Sequence, residues 1–281
     1  MKVSIVISAK NRAQLFSRSL ALYSNQTMAP EDWELVLVDD ASTEDLRGVL
    51  RAHGSKLNWR YIRMDSHLND FPVYWGPALS NNVGFRAARG EVVCVTGPEI
   101  LLAENALEKG YEGAMKDQNV YGYIFHSSSR FVRMMDAMEK IPPFATLDRL
   151  PGARHQDITR HTFYWFFCAV KREHIEAIGG CDEELMRGIC GDDDDFANRM
   201  RAHGVPSVHD YTLVGIHQDH TREDRGDPQR IRWNPVWEKA RHQNTKYLEE
   251  WPSLRNQDPV ANKSRDWGSS NLVLEREDHF V

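Results

Sequence analysis

Four consecutive carboxylates, Asp192 to Asp195, are the residues whose type and spacing point most strongly to chemistry. Neighbouring negative charges repel, so the run is costly unless a helix N-terminus, a metal ion or a proton offsets part of the charge. An apolar helical pattern begins at Phe196, which predicts a helix over 192–203 with the acids in its first turn. The spacing and final Glu of an EF-hand calcium loop are missing. The run is therefore interpreted as either a solvated acidic patch or a helix start that offers one carboxylate as a general base.

Two histidines form a second group of candidates. His217 and His220 follow the apolar residues Val214 and Ile216, which are typical of a strand. A histidine at a strand end can bind a divalent metal such as Mn²⁺, whereas an exposed loop position is the alternative for at least one of the two. The sequence contains neither an HExxH motif nor a cysteine cluster, which argues against a zinc hydrolase.

Polar residues also follow three predicted strands, at Ser8 to Arg12, at Asp39-Asp40 and at Gly97 to Glu99. Ligands bind outside the carboxyl ends of parallel strands, so these groups are expected on one edge of the sheet. Turn residues and helix caps are the alternative for each group. One of the two aspartates could cap the next helix, as could Ser42 or Thr43, while the other aspartate accepts hydrogen bonds from a nucleobase imide or a ribose hydroxyl.

The elements that must position these groups alternate between strands and helices. This alternation predicts an α/β fold with a mostly parallel sheet wrapped by helices. The predicted strands cover residues 3–7, 34–38, 59–63, 91–96, 120–126 and 162–170, and the main helices cover 13–24, 77–88, 104–116, 173–178 and 192–203.

Composition narrows the class of protein. The formal charge of −6 gives no general attraction to a phosphate backbone, which counts against a nucleic-acid partner without excluding one. The four cysteines are scattered, so we expect reduced thiols in a cytoplasmic protein. The sequence starts with a strand-like run in place of a signal-peptide pattern, and no apolar stretch has the length of a membrane span, so any membrane contact is expected to be peripheral.

From residue 221 to 281 the sequence becomes polar and charged and contains several tryptophans, which predicts a C-terminal extension. This extension is expected to be either a helical cap over the domain or a lid for an acceptor. Tryptophan faces can stack on sugar rings or pack in a core, and Trp165, which lies in an apolar segment, is expected to pack in the core. The tryptophans of the extension include Trp233, Trp237, Trp251 and Trp267.

Taken together, these segments resemble the inverting family 2 glycosyltransferases, which have the GT-A (Rossmann-like) fold. The resemblance covers residues 2–220, with a nucleotide-sugar half at about 1–100 and an acceptor half at about 101–220. The segments that carry it are Val3 to Arg12, Leu37 to Thr43, Asn82-Val83-Gly84 with Ala87 to Glu91, Phe166 to Glu183, and Gly191 to Phe196 with Arg199 and Arg201.

The resemblance implies a role for each candidate. Asp193 takes the position of the catalytic base, with Asp192 in place of the family's usual Glu. Only Glu99 remains at the position of the family's metal-binding Asp-x-Asp, so a divalent metal, Mn²⁺ or Mg²⁺, would depend on Glu99 and on one of the two histidines, His217 or His220. The residues implied in donor binding are Ser8, Lys10, Arg12, Asp39, Asp40 and Asn82, with Asp40 holding the nucleobase and Lys10 standing where an aromatic residue is more common.

The implied reaction is an inverting sugar transfer from a nucleotide diphosphate sugar, a UDP-sugar by resemblance, to an acceptor hydroxyl. The acceptor class stays open among a glycan, a lipid-linked sugar, a small molecule, a protein and a modified nucleic acid. A sugar nucleotidyltransferase is disfavoured because Ser8 to Gln14 contains no glycine. A non-catalytic nucleotide-sugar binding or scaffold protein is the other alternative: the altered Asp-x-Asp favours it, whereas the acidic helix and the histidines argue against it.

Overall fold

The computed structural model describes residues 1–65, 77–157, 163–188, 190–220, 235–250, 258–264, 266–269, 271 and 273–281. Two of the tryptophans named above, Trp233 and Trp251, lie outside the described residues, as does the side chain of Trp237.

A parallel half forms the first part of the sheet. Its strands are β1 (Val3–Ala9), β2 (Trp33–Asp40), β3 (Trp59–Met64) and β4 (Val92–Thr96), arranged in the order β3-β2-β1-β4. The central strands are buried along almost their whole length, as expected for strands covered on both faces. The helices that connect them are α1 (Ala13–Tyr23), α2 (Leu46–His53) and α3 (Ala78–Ala87).

A mixed half continues the sheet beyond β4 with β8 (Phe167–Lys171), β6 (Asn119–His126), β9 (Ser207–His217) and β5 (Ile100–Leu102), while β7 (Gln156–Asp157) pairs with β6. Strand β8 is antiparallel to both β4 and β6, so β6 points in the same direction as β4, and β9 is parallel to β6. Among the described strands, β1, β2, β3, β4, β6 and β9 therefore share one direction. Their carboxyl ends form a single edge of the sheet.

Helices cover both faces of this sheet. Alternation along β1 sends Ile5 and Ile7 to one face, where they pack with α1 and α2, and sends Val6 to the other face, where it packs with α3. The remaining helices are α4 (Ala106–Ala114), α5 (Ser129–Asp136), α6 (Phe144–Leu147), α7 (Arg172–Ala177), α8 (Asp192–Ala202) and α9 (Pro235–Glu250), and short 3₁₀ turns cover Pro30–Asp32 and Glu183–Arg187.

The predicted extension contributes to the sheet. Strand β10 (Val273–His279) pairs antiparallel with β3 and forms the outer edge of the parallel half. The boundary at residue 220 remains a prediction, but the sheet continues into residues beyond it. None of the described helices is long and apolar enough to cross a lipid bilayer. Among the described residues, which include all four cysteines, no disulfide forms.

Two details differ from the predictions. The aromatic strand, predicted over 162–170, begins at Phe167, and Trp165 and Phe166 form a turn before it. Residues 158–162 lie outside the described residues. The cap of α2 was predicted among Ser42, Thr43 and the Asp39-Asp40 pair, which is wrong, because the Asp45 side chain accepts a hydrogen bond from the Gly48 amide and the helix begins at Leu46.

Candidate active site

The carboxyl edge of the sheet brings the predicted strand-end groups together. Ala9 at the end of β1 lies beside Asp39 of β2, and Ile7 lies beside Thr96 of β4, just before the Gly97–Glu99 turn. The register between β6 and β9 brings His217 to the same edge. Helix α8 leads back into the amino end of β9, so its acidic N-terminus also lies toward the carboxyl edge.

The turns after β1 and β2 are locked to each other. The Asn11 side-chain oxygen accepts hydrogen bonds from the Thr43 amide at 2.8 Å and the Glu44 amide at 3.3 Å, and the Asn11 amide donates to the Ser42 hydroxyl at 3.0 Å. In return, the Glu44 carboxylate accepts from the Ala13 amide at the start of α1, at 2.6 Å. Asn11 has a positive φ of 52°, a conformation that Asn tolerates better than most residues. These hydrogen bonds between the two turns were not predicted from the sequence, in which the Asn in a turn is their only local signal.

The fold itself uses the carboxylate of Asp39. This side chain is fully buried and accepts hydrogen bonds from the Tyr61 hydroxyl at 2.6 Å, the Arg63 guanidinium at 2.9 Å and the Ser42 amide at 2.8 Å. Burial and, to a smaller extent, the hydrogen bond to Asp39 raise the pKa of Tyr61 to about 12. With these partners Asp39 holds β2, β3 and the following turn together. The geometry therefore favours its neighbour Asp40, buried at the very end of β2, as the carboxylate for a ligand.

The other predicted donor-binding residues after β1 lie at the same edge. The Ser8 hydroxyl is 2.5 Å from the Ser80 hydroxyl of α3, which ties β1 to that helix. The Arg12 guanidinium donates to the Asn11 carbonyl at 2.9 Å. Lys10 is partly buried, as Ser8 and Arg12 are. The structure thus places these side chains beside the end of β2, and their donor-binding roles stay predictions.

Asn82 has a structural role. Its side-chain amide is fully buried and donates to the Cys181 carbonyl and to the Glu183 carboxylate, both at 2.9 Å. Its side-chain oxygen accepts from the Cys181 amide at 2.7 Å. Both amide protons are therefore used within the fold, so Asn82 anchors α3 to the Cys181–Glu183 turn. These bonds disfavour a contact between Asn82 and the donor, and its donor-binding role stays a prediction.

The three predicted metal ligands converge. Glu99, His217 and His220 each offer one ligand atom, and these atoms all lie within 4.8 Å of one another. The Glu99 carboxylate is 3.6 Å from Nε2 of His217, and the two imidazole rings are 5.3 Å apart between centroids. One oxygen and two nitrogen donors form a set that suits Mn²⁺ and related divalent metals. The residues present thus fit a divalent metal, with both histidines able to contribute.

Gln218, which lies between the two histidines in the sequence, supports this cluster through hydrogen bonds to the backbone of Glu99. Its backbone and side-chain amides both donate to the Glu99 carbonyl, at 3.1 and 3.2 Å, and its side-chain oxygen accepts from the Arg18 guanidinium at 3.1 Å. Arg18 lies on α1, is almost fully buried and forms an ion pair with Asp136 of α5. Outer groups of this kind fix the orientation of metal ligands. We name Gln218 and Arg18 the metal brace.

The acidic run forms the first turn of α8, as predicted, behind Gly191 with a positive φ of 87°. Its members differ in role. Asp195 is buried and forms an ion pair at 2.8 Å with Arg199, which is itself fully buried. Arg199 also donates to the carbonyls of Ile178 at 3.0 Å and Gly180 at 2.8 Å. This pair anchors the helix, which leaves the preceding aspartates as the candidates for chemistry.

Asp192 and Asp193 are partly buried, and their surroundings favour the protonated form. Burial raises the pKa of Asp193 well above the usual range, and the charges of Asp192 and Asp194 raise it further. Burial also raises the pKa of Asp192 to about 6, with a contribution from Asp195. Amide groups at the helix start oppose these effects only in part. A carboxylate that can hold a proton closer to neutral pH is suited to acid–base catalysis.

Aromatic side chains join the two groups. Tyr164 is near enough to Asp193 and Asp194 for their charges to add to the effect of burial, and both effects raise the pKa of Tyr164. Its ring contacts Phe166, with centroids 5.4 Å apart, and Phe166 contacts His217 at 4.9 Å. Tyr164 and Phe166 therefore connect the candidate metal ligands with the acidic helix. Trp165 between them is buried and packs on Phe196 in the core, as expected.

A second group of possible metal ligands, Asp117, Glu173 and His174, lies elsewhere on the surface. The ammonium group of Lys171 is 2.6 Å from the Asp117 carboxylate and 3.8 Å from that of Glu173. A cation of the protein thus already neutralises these carboxylates, and we do not regard the group as a metal site.

Known proteins share this sequence pattern. Validoxylamine A glucosyltransferase from Streptomyces hygroscopicus subsp. limoneus is 25% identical over 243 residues, which cover 78% of this chain and 52% of that protein. Chondroitin synthase from Escherichia coli is 30% identical over 163 residues, which cover 55% of this chain and 23% of that protein. The chain spans only about half the length of the validoxylamine A glucosyltransferases that it matches, at 52% and 56%.

Solved structures share the fold. TarS from S. aureus in complex with UDP superposes with a TM-score of 0.58 at 15% identity, covering 80% of this chain and 62% of that one. Mannosyltransferase PcManGT from Pyrobaculum calidifontis, in complex with GDP-Man and Mn²⁺, superposes with a TM-score of 0.57 at 19% identity, covering 92% and 72%. These likenesses establish the predicted GT-A fold. Residues 4–179, most of the chain, match the family model for glycosyl transferase family 2, and the protein therefore belongs to that family.

Proposed function

We propose that this protein is an inverting glycosyltransferase that moves a sugar from a nucleotide diphosphate sugar to an acceptor hydroxyl. The observation that carries the proposal is the convergence at one sheet edge of a Glu-His-His cluster and a partly buried aspartate pair, joined by Tyr164 and Phe166. A cation site suits a departing diphosphate, and a carboxylate with a raised pKa suits removal of a proton from a hydroxyl.

The donor is proposed to be a UDP-sugar. TarS, with the same fold, binds UDP, and several relatives are named glucosyltransferases. Asp40 at the end of β2 is the carboxylate positioned to accept a hydrogen bond from the imide of a uracil ring, because Asp39 beside it is used by Tyr61 and Arg63. Lys10 and Arg12 on the neighbouring turn supply positive charge for ribose or phosphate oxygens.

A divalent metal, Mn²⁺ or Mg²⁺, is proposed to be held by Glu99, His217 and His220. The imidazole donors favour Mn²⁺, because Mg²⁺ strongly prefers oxygen ligands. When bound, the metal supplies positive charge to offset the charge that develops on the leaving diphosphate. The protein contributes the orientation of the ligands through the metal brace.

Asp193 is proposed to be the general base. The acceptor oxygen forms a bond to the anomeric carbon while its proton passes to the Asp193 carboxylate. The bond between the anomeric carbon and the diphosphate oxygen breaks, and its electron pair leaves with the diphosphate. Because attack and departure occur on opposite faces of the sugar, the configuration at the anomeric carbon is inverted.

Isothermal titration with UDP tests the donor site. The unmodified protein, Glu99→Gln and the control His174→Ala from the second surface cluster are titrated with and without Mn²⁺. We expect UDP binding that requires Mn²⁺, a loss of about 10- to 100-fold in affinity for Glu99→Gln, and no change for His174→Ala. Absence of UDP binding in the unmodified protein under both conditions would refute the uridine donor. Equal binding by Glu99→Gln would refute the metal site.

A further inference from the structure

Helix α9 lies beyond the part of the chain that matches the family model, yet it contacts the segment that leads into the acidic helix α8. Asn244 of α9 is buried, and its side-chain amide donates to the carbonyls of Leu185 at 2.9 Å and Cys190 at 3.0 Å. The Tyr247 hydroxyl, one turn later, donates to the Asp182 carboxylate at 2.7 Å. One helix of the extension thus holds both ends of the segment from 182 to 190.

The segment needs such support at its last turn. Cys190 and Gly191 both have positive φ angles, 67° and 87°. For a cysteine this left-handed conformation is unfavourable, so it persists only where the surroundings enforce it. The Asn244 bond to the Cys190 carbonyl enforces it from one side. Leu248 of α9 packs on Gly191, where an added Cβ would lie 2.4 Å from the leucine side chain.

This turn determines where α8 begins and therefore where its first carboxylates point. Asp192 and Asp193 follow Gly191 directly, in the first turn of the helix. The Asp195 amide donates to the Gly191 carbonyl at 2.9 Å, and the buried Asp195–Arg199 ion pair anchors the helix behind that bond. Contacts from α9 add a constraint on the Cys190–Gly191 turn.

A second part of the extension supports the same region. The Asn262 side-chain amide donates to the carbonyls of Gly179 at 2.8 Å and Cys181 at 2.6 Å. Arg199 of α8 donates to the Gly180 carbonyl between them. The extension therefore contacts two turns. One is the Gly179–Cys181 turn, which accepts a hydrogen bond from Arg199, and the other is the Cys190–Gly191 turn, which precedes α8.

We propose that Asn244 and Tyr247 of α9 are positioning residues, which fix the Cys190–Gly191 turn and thereby place Asp193 for proton transfer. The inference rests on the proposed function of Asp193 as the base. It gives the C-terminal extension, predicted to be a helical cap or an acceptor lid, a role in the chemistry of the site.

Asn244→Ala in the full chain tests this role, with Gln243→Ala, an exposed neighbour on the same helix, as the control. Turnover is measured on the best donor among UDP-glucose, UDP-N-acetylglucosamine and GDP-mannose, with water as the acceptor. A small misplacement of a catalytic group is costly, so we expect kcat to fall about 10- to 100-fold in Asn244→Ala while the donor KM and UDP affinity change by less than about twofold. Gln243→Ala keeps both parameters. A parallel loss of UDP affinity would indicate general disruption and overturn the proposal.

A double-mutant cycle identifies the residue through which Asn244 acts. If it acts through Asp193, then Asn244→Ala added to Asp193→Asn lowers kcat no further, because the interaction is already lost. A full additional loss in the double variant would overturn the proposal.

Hydrogen exchange separates this inference from the proposed function. Asn244→Ala is expected to raise amide exchange in the peptide covering 190–196 and not in the β1–β2 region. If the unmodified chain turns over no donor, the proposed function fails, and the exchange measurement still decides whether Asn244 fixes the Cys190–Gly191 turn. Unchanged exchange in 190–196 would overturn that inference.

Discussion

The candidate metal ligands and the acidic helix are connected through Tyr164 and Phe166, but different parts of the chain hold them in place. Glu99 and the two histidines are braced by Gln218, Arg18 and the neighbouring turns of α1, all within the first 220 residues. The start of α8 is held by Asn244 and Tyr247 of α9, in the extension. The two halves of the proposed chemistry therefore have separate supports.

This difference has a practical meaning. A variant that loosens the metal brace should affect metal and nucleotide binding, whereas a variant that loosens α9 should affect proton transfer. The electrostatics of the two groups also differ. The candidate metal ligands combine one carboxylate with two imidazoles, whereas in the acidic helix burial and the charges of neighbouring carboxylates raise the pKa of Asp193.

The largest expected effect is that of Asp193→Asn. Loss of a positioned general base lowers kcat by about 10² to 10⁴-fold, and Mn²⁺-dependent UDP affinity stays unchanged because the metal brace is intact. Turnover and UDP titration on the same preparation measure the two quantities. Asp194→Asn, at the exposed neighbouring position, is the control. An equal loss in that control would show that the charge of the run matters and that a single base does not.

The pH profile of kcat sharpens the assignment of the base. Since burial and neighbouring charges raise the pKa of Asp193, the rate should fall with decreasing pH at values above the ordinary aspartate pKa of about 3.9. Asp192→Asn removes one of the charges that raise this pKa, so the acidic limb should move to lower pH. Movement of the limb to higher pH in Asp192→Asn would contradict the assignment.

Gln218→Ala should impair the metal brace and leave the support of α8 by α9 intact. Loss of the bonds to the Glu99 carbonyl and to Arg18 is expected to weaken Mn²⁺-dependent UDP binding by about 10- to 100-fold, a range typical for residues that orient metal ligands. The acidic limb of the kcat profile should stay in place, since α9 is untouched. If Gln218→Ala shifts that limb and spares UDP binding, the separation of the two supports is wrong.

The smallest effect on chemistry is expected for Asn82→Ala. This change removes three buried hydrogen bonds between α3 and the Cys181–Glu183 turn, so the free energy of unfolding should fall by about 2 to 4 kcal/mol. UDP affinity of the folded molecules should be kept. Urea unfolding and titration below the transition provide the two values. Normal stability combined with lost UDP binding would support a role for Asn82 in the donor site.

Local pattern and strand direction were enough to predict much of this structure. The grouping of Glu99 with His217 and His220 was expected from the family resemblance, whereas the parallel strands and the helix with acids at its start follow from periodicity and from the rule for strand ends. These features depend on neighbours within an element or on the common direction of strands, both of which the sequence displays.

Partners that are distant in sequence account for what could not be predicted. Asp39 and Asp40 look equivalent along the chain, and only the pairing of β2 with β3 brings Tyr61 and Arg63 to the first of them. The partners of Asn82 are about 100 residues away, at separations of 99 and 101. The bonds of Asn244 to the segment before α8 depend on how α9 packs, for which no periodic signal exists.

Strand β10 has a consequence for synthesis of the protein. Arg60 of β3 and its partner Asp278 of β10 are 218 residues apart, and ribosomes add roughly 5 to 20 residues per second, so β3 waits on the order of ten seconds or more for its neighbour. During that interval β3 is an exposed edge open to pairing with other chains. Its arginines, Arg60 and Arg63, discourage such pairing while the edge is open. Once the acidic strand β10 has been synthesised, Arg60 binds Asp278 and helps to attach β10 to β3.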